Sequence, residues 1–153
     1  MAIKVIMLDV DGVLNSGEYI HRLDGAFDDP KNQMDPQAVS LFNKITDATG
    51  AKVVISSTWR LAFFKSAYPL RQLQCCMESY KLTGEVIDYT PQLNSRGQEI
   101  QAWLQYRRDI EKFIIIDDDS DMGDLMPHLI KTQFEYGLRQ EHVDLATNIL
   151  GEL

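Results

Sequence analysis

Two carboxylates one residue apart, Asp9 and Asp11, close the apolar stretch that begins at Ile3, and Gly12 follows at once. Far downstream, Phe113 to Asp121 reads FIIIDDDSD, a second apolar run that ends in a burst of acids including Asp117 and Asp118. Carboxylates gathered in close quarters repel, and each is costly to keep charged out of water unless a cation joins them. A hard divalent cation taking oxygen ligands is the simplest such partner. A third apolar run, Val53 to Ile55, leads into the hydroxyls of Ser56, Ser57 and Thr58 and then Trp59 and Arg60, and Arg96 stands behind Ser95. Carboxylates, a hydroxyl, a fixed cation and a metal form a coherent set for phosphoryl transfer. One carboxylate attacks phosphorus and divides the reaction into two easier displacements. A second acid protonates the leaving oxygen and then activates water. The metal shields the nucleophile from the phosphate's charge, while a hydroxyl and a guanidinium stabilise the equatorial oxygens.

These groups meet only if the elements behind them share an edge. Short apolar runs rich in β-branched residues read as strands buried on both faces. Ile3 to Val10, Lys52 to Ile55, Gly84 to Thr90 and Lys112 to Ile116 fit that pattern, with Leu129 to Thr132 a further short strand. Asp35-Pro36 opens a helix, with Asp35 as N-cap and Pro36 in the first turn, and Gly50 closes it. Leu61 to Tyr80 reads as helical with an interruption at Pro69, Ser95 to Gln98 as a capping box, and Glu141 to Leu150 as a terminal helix. Strands alternating with helices specify an α/β fold: a single Rossmann-like, doubly wound parallel sheet spanning residues 1–153. In such a sheet the C-terminal ends of the strands lie on one edge, so Asp9, Ser56 and Asp117 converge there. Residues 16–34 are polar and turn-rich and suit a hairpin or flap over that edge.

Composition narrows the classes. The hydrophobic content of 44% and charged content of 25% belong to a globular protein, and no apolar run approaches a membrane span. The first apolar segment is short for a signal peptide and holds Asp9, which favours no export. The only cysteines are the adjacent Cys75 and Cys76, which fits a reducing cytoplasm. With no CxxC pair and no HExxH, a zinc site is disfavoured. The net charge is −8, yet residues 52–82 hold 5 Lys/Arg against 1 acid. That basic island either faces an anionic substrate or is a solvated helix face.

Taken together, DVDGVLN, VVISSTWR, the helix of Arg96 and IIIDDDSD resemble, in that order, the four motifs of haloacid dehalogenase (HAD) superfamily phosphatases. The resemblance implies Asp9 as nucleophile, Asp11 as general acid/base, Ser56 as phosphate-binding hydroxyl with Ser57 or Thr58 as substitutes, and Arg96 as the cation. Lys65, Arg60 and Lys81 are rivals for the last role. It implies Mg²⁺ held by Asp9, Asp117, Asp118 and the backbone carbonyl of Asp11, with Asp121 in reserve, and a substrate held by Gly12, Ser57, Thr58 and Arg60. Segments this short leave room for no large cap, so the site is open. DVDGVLN with SSTWR and a late Tyr136-Gly137-Leu138 is also similar to HAD domains associated with RNA repair and to polynucleotide 3′-phosphatases. A nucleic-acid end or nucleotide phosphate is therefore the expected substrate. Two other readings stand beside it: a receiver-like phospho-accepting module, which needs no acid at Asp11, and a phosphate-binding protein without turnover.

Overall fold

Alternation along the first strand divides the core in two. In the computed structural model, which describes residues 1–153, β1 (Ile3–Leu8) sends Ile6 and Leu8 to one side of the sheet and Val5 and Met7 to the other. The chain continues through α1 (Gly17–Leu23), α2 (Pro36–Thr49), β2 (Lys52–Ile55), α3 (Pro69–Ser79), β3 (Val86–Tyr89), α4 (Arg96–Gln105), β4 (Ile110–Asp117), β5 (Leu129–Lys131) and α5 (Gln140–Leu150). All strand pairs are parallel, in the order β3-β2-β1-β4-β5. This is the expected α/β, Rossmann-like architecture. Side chains of α2, α3 and α5 cover the Ile6/Leu8 face, whereas α4 and the turn at Gly123–His128 cover the other. From β1 the chain winds outward to β2 and β3, then returns to β4 on the opposite side of β1. The β1–β4 junction is the switch point, beyond whose C-terminal edge such sheets bind ligands.

Local chemistry explains the helix limits. Asp35 accepts from Gln37 N at 2.9 Å, Pro36 takes the first helical position, and Gly50 closes α2 at φ 70°. Ser95 caps α4 by accepting from Gln98 N at 3.2 Å. The reciprocal bond from the Gln98 side chain, expected of a capping box, is not formed.

Two expectations are corrected. Residues 16–34 form no hairpin: Ser16 caps a true helix, α1, by accepting from Tyr19 N at 3.1 Å, and two 3₁₀ turns follow at Ala26–Asp28 and Pro30–Asn32. Residues 61–80 are not one interrupted helix, because Thr58–Phe63 is a 3₁₀ turn and Pro69 is the first residue of α3. No helix is long and apolar enough to cross a membrane.

Candidate active site

Strand parity places the reactive groups. Leu8, Ile55 and Ile116 all pack into the α2/α5 layer. The residue that follows each, Asp9 and Ser56 just past their strands and Asp117 at the end of β4, turns by alternation to the α4 side. Backbone bonds fix the three ends against one another, Asp9 N donating to Ile116 O and Ser56 N to Leu8 O, each at 3.0 Å. Helix α4 begins at Arg96 on that same side, and its guanidinium meets the acids. Arg96 Nη1 lies 3.4 Å from Asp9 Oδ1 and donates to Asp117 Oδ2. The sheet thus brings Arg96 to the acids, whereas Lys65 and Lys81 are exposed and form no ion pair with them.

Asp9, Asp117 and Asp118 each offer an oxygen, and these atoms all lie within 4.8 Å of one another. Asp9 is 6% exposed and Asp117 fully buried. Burial, then the charge of Asp117, push Asp9 up to about 8 from its ordinary 3.8, against the pull of Arg96. Burial likewise raises Asp117, with Arg96 opposing. Arg96 is itself desolvated, but Asp117, Asp9 and Glu99 outweigh that and raise it. A pair of acids this strongly perturbed, at the switch point of the sheet, makes this edge the candidate functional site.

Gly12 makes room for the third acid. Its φ is +82°, and a Cβ there would lie 2.4 Å from Asp118 Oδ2. Thr132 Oγ1 pins the same peptide by donating to Gly12 O at 2.7 Å. Asp11 stands outside this cluster, exposed, with its Oδ1 accepting from Asn15 Nδ2 at 2.9 Å and from Trp59 Nε1 at 3.2 Å. The Asp11 side chain is thereby held in place but left accessible, apart from the three acids whose oxygens come together. Asp121 is exposed and its side chain does not join the acids, although its carbonyl accepts from Gly97 N at 2.9 Å.

The hydroxyls separate by use. Ser56 Oγ is buried and has no hydrogen-bond partner in the protein, a costly condition for a hydroxyl unless a ligand completes it. Ser57 Oγ is occupied, accepting from Trp59 N at 3.1 Å to cap the 3₁₀ turn. Thr58 is exposed and makes no side-chain bond within the protein.

Arg60 is not where a substrate contact was expected. Its side chain is 1% exposed and its N–H groups are committed: Nε to Thr90 O at 2.7 Å, Nη1 to Ser57 O at 2.8 Å, Nη2 to Pro91 O at 2.8 Å and to Glu99 Oε2 at 3.1 Å. An arginine beside a run of hydroxyls reads as a surface cation, but here three carbonyls and a carboxylate allow it to be buried. Glu99, Asn15 and Thr132 carry no role in the motif reading. Only Glu99 left a trace in the sequence, three residues after Arg96, which is one helical turn.

A family model described as the HAD domain in Swiss Army Knife RNA repair proteins matches residues 5–143. No curated protein and no solved structure matches significantly.

Proposed function

The chain belongs to the HAD domains of the Swiss Army Knife RNA repair proteins, and from that premise we propose that it is a Mg²⁺-dependent phosphomonoester hydrolase acting through an aspartyl-phosphate on Asp9, on a nucleic-acid end or nucleotide phosphate. The observation that carries the reading is the meeting of the Asp9, Asp117 and Asp118 oxygens within 4.8 Å. The donor set fits the metal. It is all oxygen, with no sulfur or imidazole, as a hard cation prefers. With all four ionised, Asp9, Asp117, Asp118 and Glu99 carry two negative charges more than Arg60 and Arg96 offset, those one divalent cation would balance on displacing the Asp9 proton. Asp9, Asp117 and Asp118 would hold it, with the Asp11 carbonyl as a further ligand. Once bound, the cation would draw charge from the phosphate oxygens and permit an anionic carboxylate to approach.

The protein's own groups divide the rest. Ser56 Oγ, otherwise unpartnered, donates to a phosphate oxygen, and Arg96 balances the charge that gathers on the equatorial oxygens. An Asp9 carboxylate oxygen bonds to phosphorus as the ester P–O bond breaks, and Asp11 gives its proton to the departing oxygen. Asp11 then takes a proton from water, whose oxygen bonds to phosphorus and releases Asp9 and inorganic phosphate. The acid at Asp11 and the buried cation at Arg96 favour turnover over a receiver-like module or a silent binder.

Hydrolysis of p-nitrophenyl phosphate tests the reading. Release is expected with Mg²⁺, absent after chelation, and reduced at least roughly 10³-fold in Asp9→Asn. Turnover that survives either change would sink it.

A further inference from the structure

Arg96 does not stand alone. On the side away from Asp9 and Asp117, its Nε faces Glu99 Oε1 at 3.8 Å, one helical turn on. Glu99 is 7% exposed. Its other oxygen, Oε2, is 3.1 Å from Arg60 Nη2 and accepts from Leu93 N at 2.9 Å. Arg60 is held in turn by the carbonyls of Thr90, Pro91 and Ser57, at the ends of β3 and β2. A continuous line of charge therefore runs from the strand ends through Arg60 and Glu99 to Arg96 and the reacting acids.

Burying an ion pair gives little net stability, and apolar residues of the same volume commonly serve a core as well or better. A buried arginine this fully bonded, behind a glutamate that touches the site's cation, is better explained by what it holds in place. A long, many-rotamer arginine side chain has much conformational freedom to lose when fixed. A guanidinium displaced by about 1 Å from a reacting phosphate forfeits much of its effect.

We propose that Glu99, anchored by Arg60, is a positioning residue that aims the Arg96 guanidinium at the phosphate. The proposal rests on the phosphate-binding half of the function proposed above, not on turnover. Glu99 acts only through Arg96, and that separates it from a residue that merely stabilises the fold.

The test is a double-mutant cycle of Arg96→Ala and Glu99→Gln, read by calorimetric titration with inorganic phosphate in Mg²⁺ and by kcat/KM on p-nitrophenyl phosphate. Each single change is expected to weaken phosphate binding by about tenfold, and the double variant to be no weaker than Arg96→Ala alone. Losses that multiply, or a Glu99→Gln protein that binds phosphate normally, would overturn the proposal, as would a wild type that binds no phosphate. Should Glu99→Gln fail to fold because Arg60 is left unpaired, Arg60→Met with Glu99→Met removes both buried charges. The same tenfold loss, absent in an Arg96→Ala background, is then expected. Wild-type protein that binds phosphate with the predicted coupling yet never hydrolyses an ester would sink the hydrolase reading and leave the positioning role standing.

Discussion

Asp9 keeps its proton to about pH 8 because burial and the neighbouring Asp117 charge disfavour its anion. The sign of the consequence is fixed. Between the unfolded value of 3.8 and about 8 the folded chain holds a proton the unfolded chain has released, so stability falls as pH rises through that window. Chelator-treated protein is therefore expected to melt at progressively lower temperature from pH 5 to pH 8, and Mg²⁺, which displaces that proton, should raise the melting temperature most at the alkaline end. A melting temperature in chelator that climbs over the same range would contradict the burial of Asp9. Gly12 allows a second residue-level test. Its φ of +82° alone costs an alanine roughly 1–2 kcal/mol, and the added Cβ would press on Asp118 at 2.4 Å. Gly25, at φ +91° with nothing within 4 Å of where an added methyl would stand, carries the backbone cost without the contact. Both alanine variants should lose stability in denaturant, but only Gly12→Ala should lose Mg²⁺ affinity, by about tenfold or more. Equal Mg²⁺ binding by the two would show that Asp118 is not a ligand.

Helix α4 is the element on which the site turns, since it delivers both Arg96 and Glu99. Its first turn packs so closely on the loop after β4 that a Cβ on Gly97 would lie 2.6 Å from the Met122 carbonyl carbon, and Gly97 N donates to Asp121 O at 2.9 Å. Backbone on both sides leaves nothing flexible to yield. Gly97→Ala should cost roughly 1–3 kcal/mol in urea unfolding and depress kcat/KM together with it, because the helix start carries Arg96 along. Loss of stability with kcat/KM intact would mean that Arg96 reaches the phosphate from elsewhere. The strands β1, β2 and β4 are legible in the sequence because each is an apolar run ending in polar groups, and α2 because Asp35-Pro36 and Gly50 bracket it. Helix α1 is not, because it has no apolar period of its own and is docked by backbone bonds from Gly17 N and Glu18 N to Phe134 O and Glu135 O, each 2.9 Å. The acids Asp9, Asp117 and Asp118 are visible by type and position, and so is Arg96. The burial of Arg60 is not, since it depends on carbonyls of Thr90 and Pro91 from a strand thirty residues on. The role of Trp59 is hidden for the same reason: its donation to Asp11 spans 48 residues.

At the scale of the whole molecule, acidity and openness pull on the substrate in opposite directions. The insertions are short: the chain between β1 and β2 holds α1, short turns and α2, and that between β2 and β3 a 3₁₀ turn and α3. An edge left in this form can admit a phosphate at the end of a long chain. The basic island does not supply a matching track, for Lys52 pairs with Glu85 at 2.6 Å and Arg60 is buried, leaving Lys65, Arg71 and Lys81 exposed against a net charge of −8. Recognition should therefore centre on the terminal phosphate and draw little from the phosphates behind it. A protein that neutralises six or more phosphates loses on the order of 10³-fold or more in affinity between 50 and 200 mM salt. Here, a 3′-phosphorylated oligonucleotide is expected to be hydrolysed with kcat/KM changing by less than about tenfold over that range, and lengthening it beyond a few nucleotides should bring no further gain. A steep salt dependence would reveal a cationic track that the exposed lysines do not suggest. Release of phosphate from sugar phosphates and nucleotides but from no oligonucleotide would end the nucleic-acid reading while leaving the chemistry of Asp9 untouched.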